Sequence, residues 1–285
     1  MEQIIAYFST IPSSHRSLIL FGGIGFFWLI EYAIPLFKTG YAKVKHGGIN
    51  IFFTLTTIVV NFLLAMLLLV KTTEWTAENH FGILNWLPEM NIWLYAMLGL
   101  LLMDFIGAYF IHWLEHKVKW MWQFHLVHHT DVNVDVTTAN RHHPGESLFR
   151  FVFTMAAVFV TGAPLWLFML YQSLSVVVSQ FGHANIQIPK GLDRVLSWII
   201  VTPNMHHVHH HYVLPYSDTN YGNIFAIWDR IFGTFGSLSS DQLQYGLDTH
   251  LAEKEHSNIG TILKAPFVAY RPPSTGSKFS EQAEK

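Results

Sequence analysis

The sequence NIWLYAMLGLLLMDFIGAYFIHWLEH, residues 91–116, joins an apolar run directly to a pair of histidines. Residues 91–111 contain one formal charge, Asp104, and as a helix they would cover about 30 Å, the thickness of a bilayer core. His112 and His116 follow at a spacing of four, which places both imidazoles on one face of the same helix. This stretch therefore predicts a transmembrane helix that presents two metal-binding side chains at its end.

The rest of the chain shares this apolar character. Its 285 residues are 51% hydrophobic and 15% aromatic but only 13% charged, which is too apolar for an ordinary soluble domain. Further apolar runs lie at residues 17–36, 49–70 and 148–181, and the last is interrupted at Gly162 and Pro164. We therefore predict an all-α integral membrane protein with about four transmembrane helices, in which residues 148–181 form two spans or a re-entrant hairpin.

The distribution of charge predicts the orientation in the membrane. Three lysines follow the first apolar run, whereas residues 72–90 contain three glutamates and neither lysine nor arginine. Because positive loops face the cytoplasm, the loop after the first span is predicted to be cytoplasmic. Counting spans then places all the histidine-rich segments on that same face, in a helical cytoplasmic cap that includes residues 197–236.

Composition divides the chain into three parts. Residues 1–103 are predicted to be an anchor of transmembrane helices, and residues 104–236 a catalytic region that contains the histidine-rich segments. Residues 237–285 are predicted to be a cytoplasmic C-terminal segment. Its end, from about residue 272, is poor in apolar side chains and is expected to be disordered.

Three short boxes contain nine of the eighteen histidines of the chain: HWLEH at 112–116, HLVHH at 125–129 and HHVHH at 206–210. With three ligands from either register of the third box, they supply eight candidate metal ligands. Within each box the histidines recur at spacings of three and four, so their side chains share a helix face. They supply more nitrogen ligands than one tetrahedral ion can use, which implies two metals. In the third box the pattern HxxHH occurs twice, from His206 and from His207, and spacing cannot choose between them. His15, His46, His80 and His250 are predicted to be structural.

Three kinds of function can use such clusters. The first is a pair of redox metals that activates dioxygen, for which iron is the better candidate and zinc a possible substitute. The second is a zinc hydrolase that uses the HxxEH pattern at 112–116 with Glu115 as general base, although a single zinc would leave the other two boxes unused. The third is a metal transporter or sensor, which predicts ionisable residues along the spans, and these spans have few.

The boxes and their neighbouring residues resemble the fatty acid hydroxylase, or sterol desaturase, superfamily from about Asp104 to Thr234. The matching patterns are TANR at 138–141 ahead of HP at 143–144, GHAN at 182–185, TP at 202–203, NYG at 220–222 and IWDRIFGT at 227–234. The resemblance implies the register His206, His209 and His210 in the third box. It also adds His183 as a further ligand between the second and third boxes.

The complete set of predicted ligands follows from the boxes and the resemblance together: His112, His116, His125, His128, His129, His143, His183, His206, His209 and His210. His143 is expected either to bind metal or to orient a ligand from behind. Asp104, Arg141 and His207 are expected to support ligands without binding metal. A charge within a span, such as Asp104, is costly and therefore indicates a function.

The resemblance implies a non-haem di-iron enzyme that uses dioxygen and two electrons to hydroxylate or desaturate a C–H bond of a lipid. The lipid would be a sterol, a fatty acid or a related molecule. No Gly-rich dinucleotide fingerprint is present, so the electrons are expected from a separate donor of the cytochrome b5, ferredoxin or reductase type. No nucleic-acid partner is indicated. The absence of cysteine excludes thiolate-bound haem and iron–sulfur clusters.

Overall fold

The computed structural model describes residues 1–38 and 40–274, the side chains of residues 65–67 excepted. Over these residues the chain is helical, and extended segments meet only in isolated bridges. The predicted all-α class is therefore confirmed. The α-helices in chain order are α1 (Glu2–Ser9), α2 (Ser13–Ser17), α3 (Gly23–Ala33), α4 (Lys43–Glu78), α5 (Ile83–Trp86), α6 (Ile92–Asp104), α7 (Ile111–Lys117), α8 (Lys119–His129), α9 (Pro144–Thr161), α10 (Leu165–His183), α11 (Lys190–Leu196), α12 (Pro203–His209), α13 (Ile227–Ile231), α14 (Glu253–Ser257) and α15 (Ile259–Lys264).

Four helical stretches are long and apolar enough to cross a membrane: Ser13–Ala33, Lys43–Leu64, Ile92–Lys117 and Leu165–His183. This agrees with the predicted number. The third stretch passes from α6 to α7 through a π-helical segment, Phe105–Phe110, immediately before the first histidine box. Wider π turns of this kind within α-helices are frequent at functional sites.

The second span continues further than expected. The loop predicted at residues 72–90 begins only at Asn79, because α4 runs unbroken for 36 residues to Glu78. No glycine or proline occurs between residues 71 and 78 to end the helix earlier. Trp75 in this last part packs against Phe81 and Phe159, with ring centroids 5.6 and 5.5 Å away.

The break predicted within residues 148–181 is present. Helix α9 ends at Thr161, where Gly162 adopts the left-handed conformation with φ of 68°, and α10 begins directly after Pro164. Left-handed glycine ends helices because it lacks a Cβ, and a proline cannot continue the preceding helix. Helix α9 also starts four residues earlier than predicted, with Pro144 in its first turn.

The large apolar core joins α6, α9 and α10. It includes Leu100, Met103, Ala157, Leu167 and Tyr171, all buried. At the far end of this core, Gly82 lies against the turn between α9 and α10. A Cβ at Gly82 would stand 2.3 Å from the backbone nitrogen of Gly162.

The opposite end of the bundle gathers the ends of several helices around Glu31. The Oε1 atom of this buried carboxylate accepts hydrogen bonds from the backbone N–H groups of Val136, at 2.7 Å, and Asn185, at 2.9 Å. Its Oε2 atom pairs with Lys43 at 2.5 Å. These contacts tie the end of α3, the start of α4 and the end of α10 together at the end of the bundle where the histidine boxes also lie.

The predicted disordered tail falls mostly on residues 275–285, which lie outside the described residues. The residues just before it contact earlier residues of the same C-terminal segment. Arg271 pairs with Glu255 at 2.7 Å, and the backbone N–H of Ser274 donates to Asp248 at 2.6 Å.

Replacing Gly82 by alanine should destabilise the protein. The added Cβ would collide with the α9–α10 turn, and the φ of +108° is unfavourable for any residue with a Cβ. We expect the unfolding free energy to fall by more than about 1 kcal/mol, measured by thermal unfolding in detergent. Gly25→Ala is the control, because nothing lies within 4 Å of its added Cβ. Equal melting temperatures for the two variants would contradict the close packing at Gly82.

Candidate metal centre

Two consecutive helices present the first two histidine boxes. Helix α7 carries His112 and His116, and α8 carries the second box, with Val118 as the only residue between them. Its extended backbone, with φ of −103° and ψ of 109°, turns the chain so that α8 packs back on α7. One sharp turn therefore brings both boxes together.

The third box lies on the short helix α12. Thr202 caps this helix by accepting a hydrogen bond from the backbone N–H of Met205 at 3.3 Å, and Pro203 occupies its first position. Both features are typical of helix starts. The Thr-Pro pair thus determines where the helix begins, and with it the direction of the histidines that follow.

The histidine side chains form two buried clusters. Within each cluster the nearest ring nitrogens all lie within 4.8 Å of one another. The first cluster consists of His112, His116, His125, His129 and His209, and the second of His128, His183, His206 and His210. The three boxes and His183 therefore meet in one place, with the third box contributing to both clusters.

The clusters adjoin each other. The rings of His129 and His210 stack with centroids 4.9 Å apart, and those of His206 and His209 with centroids 5.2 Å apart. Each pair takes one ring from each cluster. The two clusters therefore form a double site, and these stacked rings lie at the boundary between its halves.

In several of these histidines, Nδ1 forms a hydrogen bond to a group outside the cluster. This bond orients the ring so that Nε2 points into the cluster. The Nδ1–H of His112 donates to the carbonyl of Tyr221 at 2.9 Å, and that of His209 donates to the carbonyl of Thr219 at 2.7 Å. His183 donates in the same way to Ser179 at 2.8 Å. A donor role for Nδ1 leaves the lone pair on Nε2 free to bind a metal.

Burial keeps the clustered imidazoles neutral. It lowers the pKa of His125 to about 4, although the neighbouring Glu146 partly offsets this effect. Burial, reinforced by neighbouring histidines, also holds the pKa values of His129 and His210 well below their usual range. Neutral imidazole is the form that coordinates metal ions.

The polar atoms fit metal ions. Several buried ring nitrogens have no hydrogen-bond partner among the described residues, including Nε2 of His116, His129, His209 and His210. Unpaired buried polar atoms are costly unless something satisfies them. Other Nε2 atoms face each other, as those of His206 and His183 do at 2.9 Å. Five and four convergent imidazoles can hold one cation each.

His143 and His207 lie outside both clusters. His143 caps α9, since its Nδ1 accepts from the backbone N–H of Gly145 at 2.9 Å, and its Nε2 contacts the carbonyl of Leu263 at 3.2 Å. His207 donates to the carbonyl of His183 at 3.2 Å and accepts from the hydroxyl of Tyr245 at 2.6 Å. Of the third box, His206, His209 and His210 therefore lie in the clusters, whereas His207 lies behind the ligand candidate His183.

Asp104 and Arg141 bind backbone segments that surround the clusters. Asp104 accepts from the backbone N–H groups of Ile224 and Phe225 and from the indole of Trp228, all at 3.1–3.2 Å. Its hydrogen bonds therefore hold the loop after Tyr221 rather than a box histidine. The buried guanidinium of Arg141 donates to the carbonyl of Val127, within the second box, and to Asn50, Thr130 and His256.

A charged network that was not predicted from the sequence lies behind His125. Glu146 Oε1 accepts from the Nδ1–H groups of His125 and His142, both at 2.8 Å, and from Arg150 at 2.9 Å. His142 in turn stacks on His128, with ring centroids 4.8 Å apart. This network therefore touches both clusters. The spacing of four between His142, Glu146 and Arg150 was the only signal for it in the sequence.

A second missed network surrounds His46, one of the histidines predicted to be structural. Its Nε2 lies 2.8 Å from Asp131, and its Nδ1 lies 3.3 Å from Asp135. Asp131 also accepts from Asn50 at 3.1 Å and from Thr138 at 2.7 Å. The network connects the start of α4 to the segment that follows the second box.

The carboxylate of Glu115 is held in an ion pair with an arginine. Both of its neighbours in the HxxEH pattern belong to the five-histidine cluster, whereas its own buried carboxylate pairs with Arg150 at 2.5 Å. A general base needs a carboxylate that can reach the metal-bound water. This geometry disfavours the zinc hydrolase alternative.

Comparison with known proteins agrees with the site. Residues 96–234 match the family model described as fatty acid hydroxylase, in agreement with the resemblance found in the sequence. Ornithine lipid hydroxylase OlsE of Rhizobium tropici is 31% identical over 159 residues, which are 55% of this chain and 45% of the relative. Alkylglycerol monooxygenase of Homo sapiens is 31% identical over 159 residues, 55% of this chain and 33% of the relative.

A cholesterol 25-hydroxylase-like protein of Danio rerio is 30% identical over 137 residues, 47% of this chain and 53% of the relative. The chain thus spans about a third to a half of the length of these relatives. No solved structure matches it significantly.

Two double variants should each remove one metal ion. H129A/H209A removes two of the five histidines of the first cluster, and H206A/H210A removes two of the four histidines of the second. We expect elemental analysis of the purified protein to fall from about two ions per chain to about one in each case.

His143→Ala is the control for these variants. It should keep both ions and lose only about 1 kcal/mol of stability from the α9 cap. Full metal content in both double variants would show that the clusters do not bind metal.

Glu146→Gln should weaken metal binding by the first cluster. The neutral amide no longer stabilises the back of His125, and losing such a partner typically costs 10–100-fold in metal affinity. Chelator competition on metal-loaded protein measures this loss. The exposed Glu253→Gln is the matched control, and equal metal retention by the two variants would remove Glu146 from this role.

Proposed function

We propose that this protein is a membrane-bound non-haem di-iron oxygenase that hydroxylates or desaturates a C–H bond of a lipid. The observation that carries the proposal is the pair of adjoining, buried, all-histidine clusters. Their nitrogens are neutral and convergent, as two divalent ions require. The zinc hydrolase alternative leaves one of these clusters without a purpose.

The choice of iron rests on the donor set together with the family resemblance, which implies iron. Imidazole suits iron, zinc, copper and nickel, and only a redox metal gives a double site of this kind a role in dioxygen chemistry. Zinc can occupy the same nitrogens without supporting that chemistry. When bound, two iron ions would supply the electrons and coordination positions that activate dioxygen.

A lipid substrate is supported by the position of the clusters and by the relatives. The clusters lie where membrane-length helices end, so a lipid within the bilayer would be close to them. The three relatives named above are described as an ornithine lipid hydroxylase, an alkylglycerol monooxygenase and a cholesterol 25-hydroxylase-like protein. Their differing names leave the lipid class of this chain open.

The chain's own residues would orient the ligands and keep water away. The backbone carbonyls of Tyr221 and Thr219 hold His112 and His209 with Nε2 inward, and Glu146 holds His125. The phenol of Tyr221 is buried over the first cluster, with ring centroids 5.1 Å from His116 and 5.5 Å from His112. This cover would protect the site from side reactions with solvent.

Hydroxylation of a C–H bond consumes one dioxygen, two electrons and two protons, and it releases one water with the alcohol. Among the described residues, only the two clusters could hold a group that stores these electrons. We therefore propose that a separate donor of the cytochrome b5, ferredoxin or reductase type supplies them. We also propose that the clusters face the cytoplasm, on the basis of the lysines near the start of α4.

Cells that produce the wild-type protein with iron should accumulate oxidised lipid. With isotopically heavy dioxygen, a hydroxylase incorporates the label into its product, whereas a desaturase yields an unlabelled product with one more double bond. Lipid mass spectrometry distinguishes the two. H206A/H210A should lower the product by at least about 100-fold, the upper end of losses caused by residues that only support metal ligands.

His143→Ala is the matched histidine control and should retain most activity, because it touches neither cluster. Iron content is measured on the same preparations. One zinc per chain that survives H206A/H210A, together with unchanged lipids, would overturn the proposal.

A further inference from the structure

Residues 223–235, called the lateral segment below, pack beside the third span and not above its end. The carboxylate of Asp104 accepts hydrogen bonds from the backbone N–H groups of Ile224 and Phe225 and from the indole N–H of Trp228. Asp104 lies seven positions before Ile111, where the apolar run of that span ends and the first histidine box begins. At 1.5 Å per residue, the contact is about 10 Å below the end of that run.

The fourth span gives the same depth independently. The amide of Asn223 donates to the hydroxyl of Ser175 at 2.7 Å. Ser175 lies eight positions before His183, the end of that span, which is about 12 Å along the helix. Two different helices thus place the lateral segment at a level where both are expected to face lipid.

The inner side of the segment is aromatic. Phe232 stacks on Phe105 and Tyr109, each with centroids 5.4 Å away and with interplanar angles of 16° and 24°. Trp228 packs on Phe105 at 5.1 Å. The segment is therefore attached firmly along the flank of the third span.

The outer side of the segment is apolar and exposed. Ile231 is 59% exposed, Phe232 52% and Ile227 41%. Trp198 and Ile199 extend this surface, with 64% and 61% exposure. Ile199 is joined to the segment because its carbonyl accepts the N–H of Ala226 at 3.2 Å. Contiguous exposed apolar side chains of this kind mark an interaction surface.

One cation lies within this apolar surface. The guanidinium of Arg230 stands 4.4 Å from the ring centroid of Trp198 and 4.3 Å from that of Phe235. Arginine flanked by aromatic rings is typical of the headgroup level of a membrane, where the apolar part of the side chain contacts lipid and the charge reaches phosphate.

We infer that the lateral segment is embedded in the membrane, with Ile227, Ile231 and Phe232 against lipid acyl chains and Arg230 at the level of the phosphates. The occupant of this surface is the bilayer, because the surface continues the lipid-facing flank of two spans. The predicted cap over the spans thus reaches down into the bilayer on this side. The segment begins two residues after Tyr221, whose carbonyl orients His112, so a lipid-contacting surface borders the first cluster directly.

Single-cysteine spin labelling tests this inference on the full chain, which contains no cysteine of its own. Ile231→Cys and Ile227→Cys are labelled with a nitroxide in liposomes of phosphatidylcholine and phosphatidylglycerol. Collision rates with dioxygen, which concentrates in the bilayer, and with a water-soluble nickel chelate are then compared. Leu29→Cys, 72% exposed on the first span, is the lipid reference, and Leu251→Cys, 58% exposed in the C-terminal segment, is the aqueous reference.

We expect the ratio of dioxygen to nickel collisions at both test positions to approach that of Leu29 and to exceed that of Leu251 several-fold. Ratios equal to that of Leu251 at both positions would overturn the inference. An aqueous ratio at Leu29 would also overturn it, because the first span would then lie outside the bilayer. Metal content, measured on each labelled variant, verifies the fold, and the readout is independent of the proposed oxygenase activity.

Discussion

The structure depends on keeping nine neutral imidazoles together in a buried space. Each ring carries two polar nitrogens, and burying them unpaired is costly. The surrounding chain reduces this cost by accepting hydrogen bonds from the outward-facing ring nitrogens. The acceptors include backbone carbonyls, such as that of Thr219, and the carboxylate of Glu146. The inward nitrogens are left for a ligand that supplies positive charge. With metal ions bound as proposed, metal binding and folding would be coupled at this end of the molecule.

The supports of the clusters come from distant parts of the chain. Glu31 joins the first span to the backbone segments that follow the second histidine box and the fourth span. Arg141 joins the second box to α4 and to the C-terminal segment. Four spans alone would leave the box helices unsupported. The buried charges outside the histidines form the frame that holds the box helices in place.

Much of this arrangement could be predicted from the sequence, because it is encoded in short-range patterns. Apolar runs of sufficient length predicted the four spans, and spacings of three and four predicted which histidines share a helix face. The partners of buried charges could not be predicted in this way. Asp104 binds backbone groups 120 residues further along the chain, and the contact of His46 with Asp131 spans 85 residues. Nothing in the local sequence of either residue identifies its partner.

The π-helical segment Phe105–Phe110 affects the direction in which the first box faces. Each residue of an α-helix turns the chain by about 100°, and the wider turns between α6 and α7 therefore change the angle between the histidine face and the face that packs in the apolar core. The helix continues on both sides of this segment without an intervening loop. A change in the number of residues in the segment would therefore alter either its wider turns or the direction of His112 and His116.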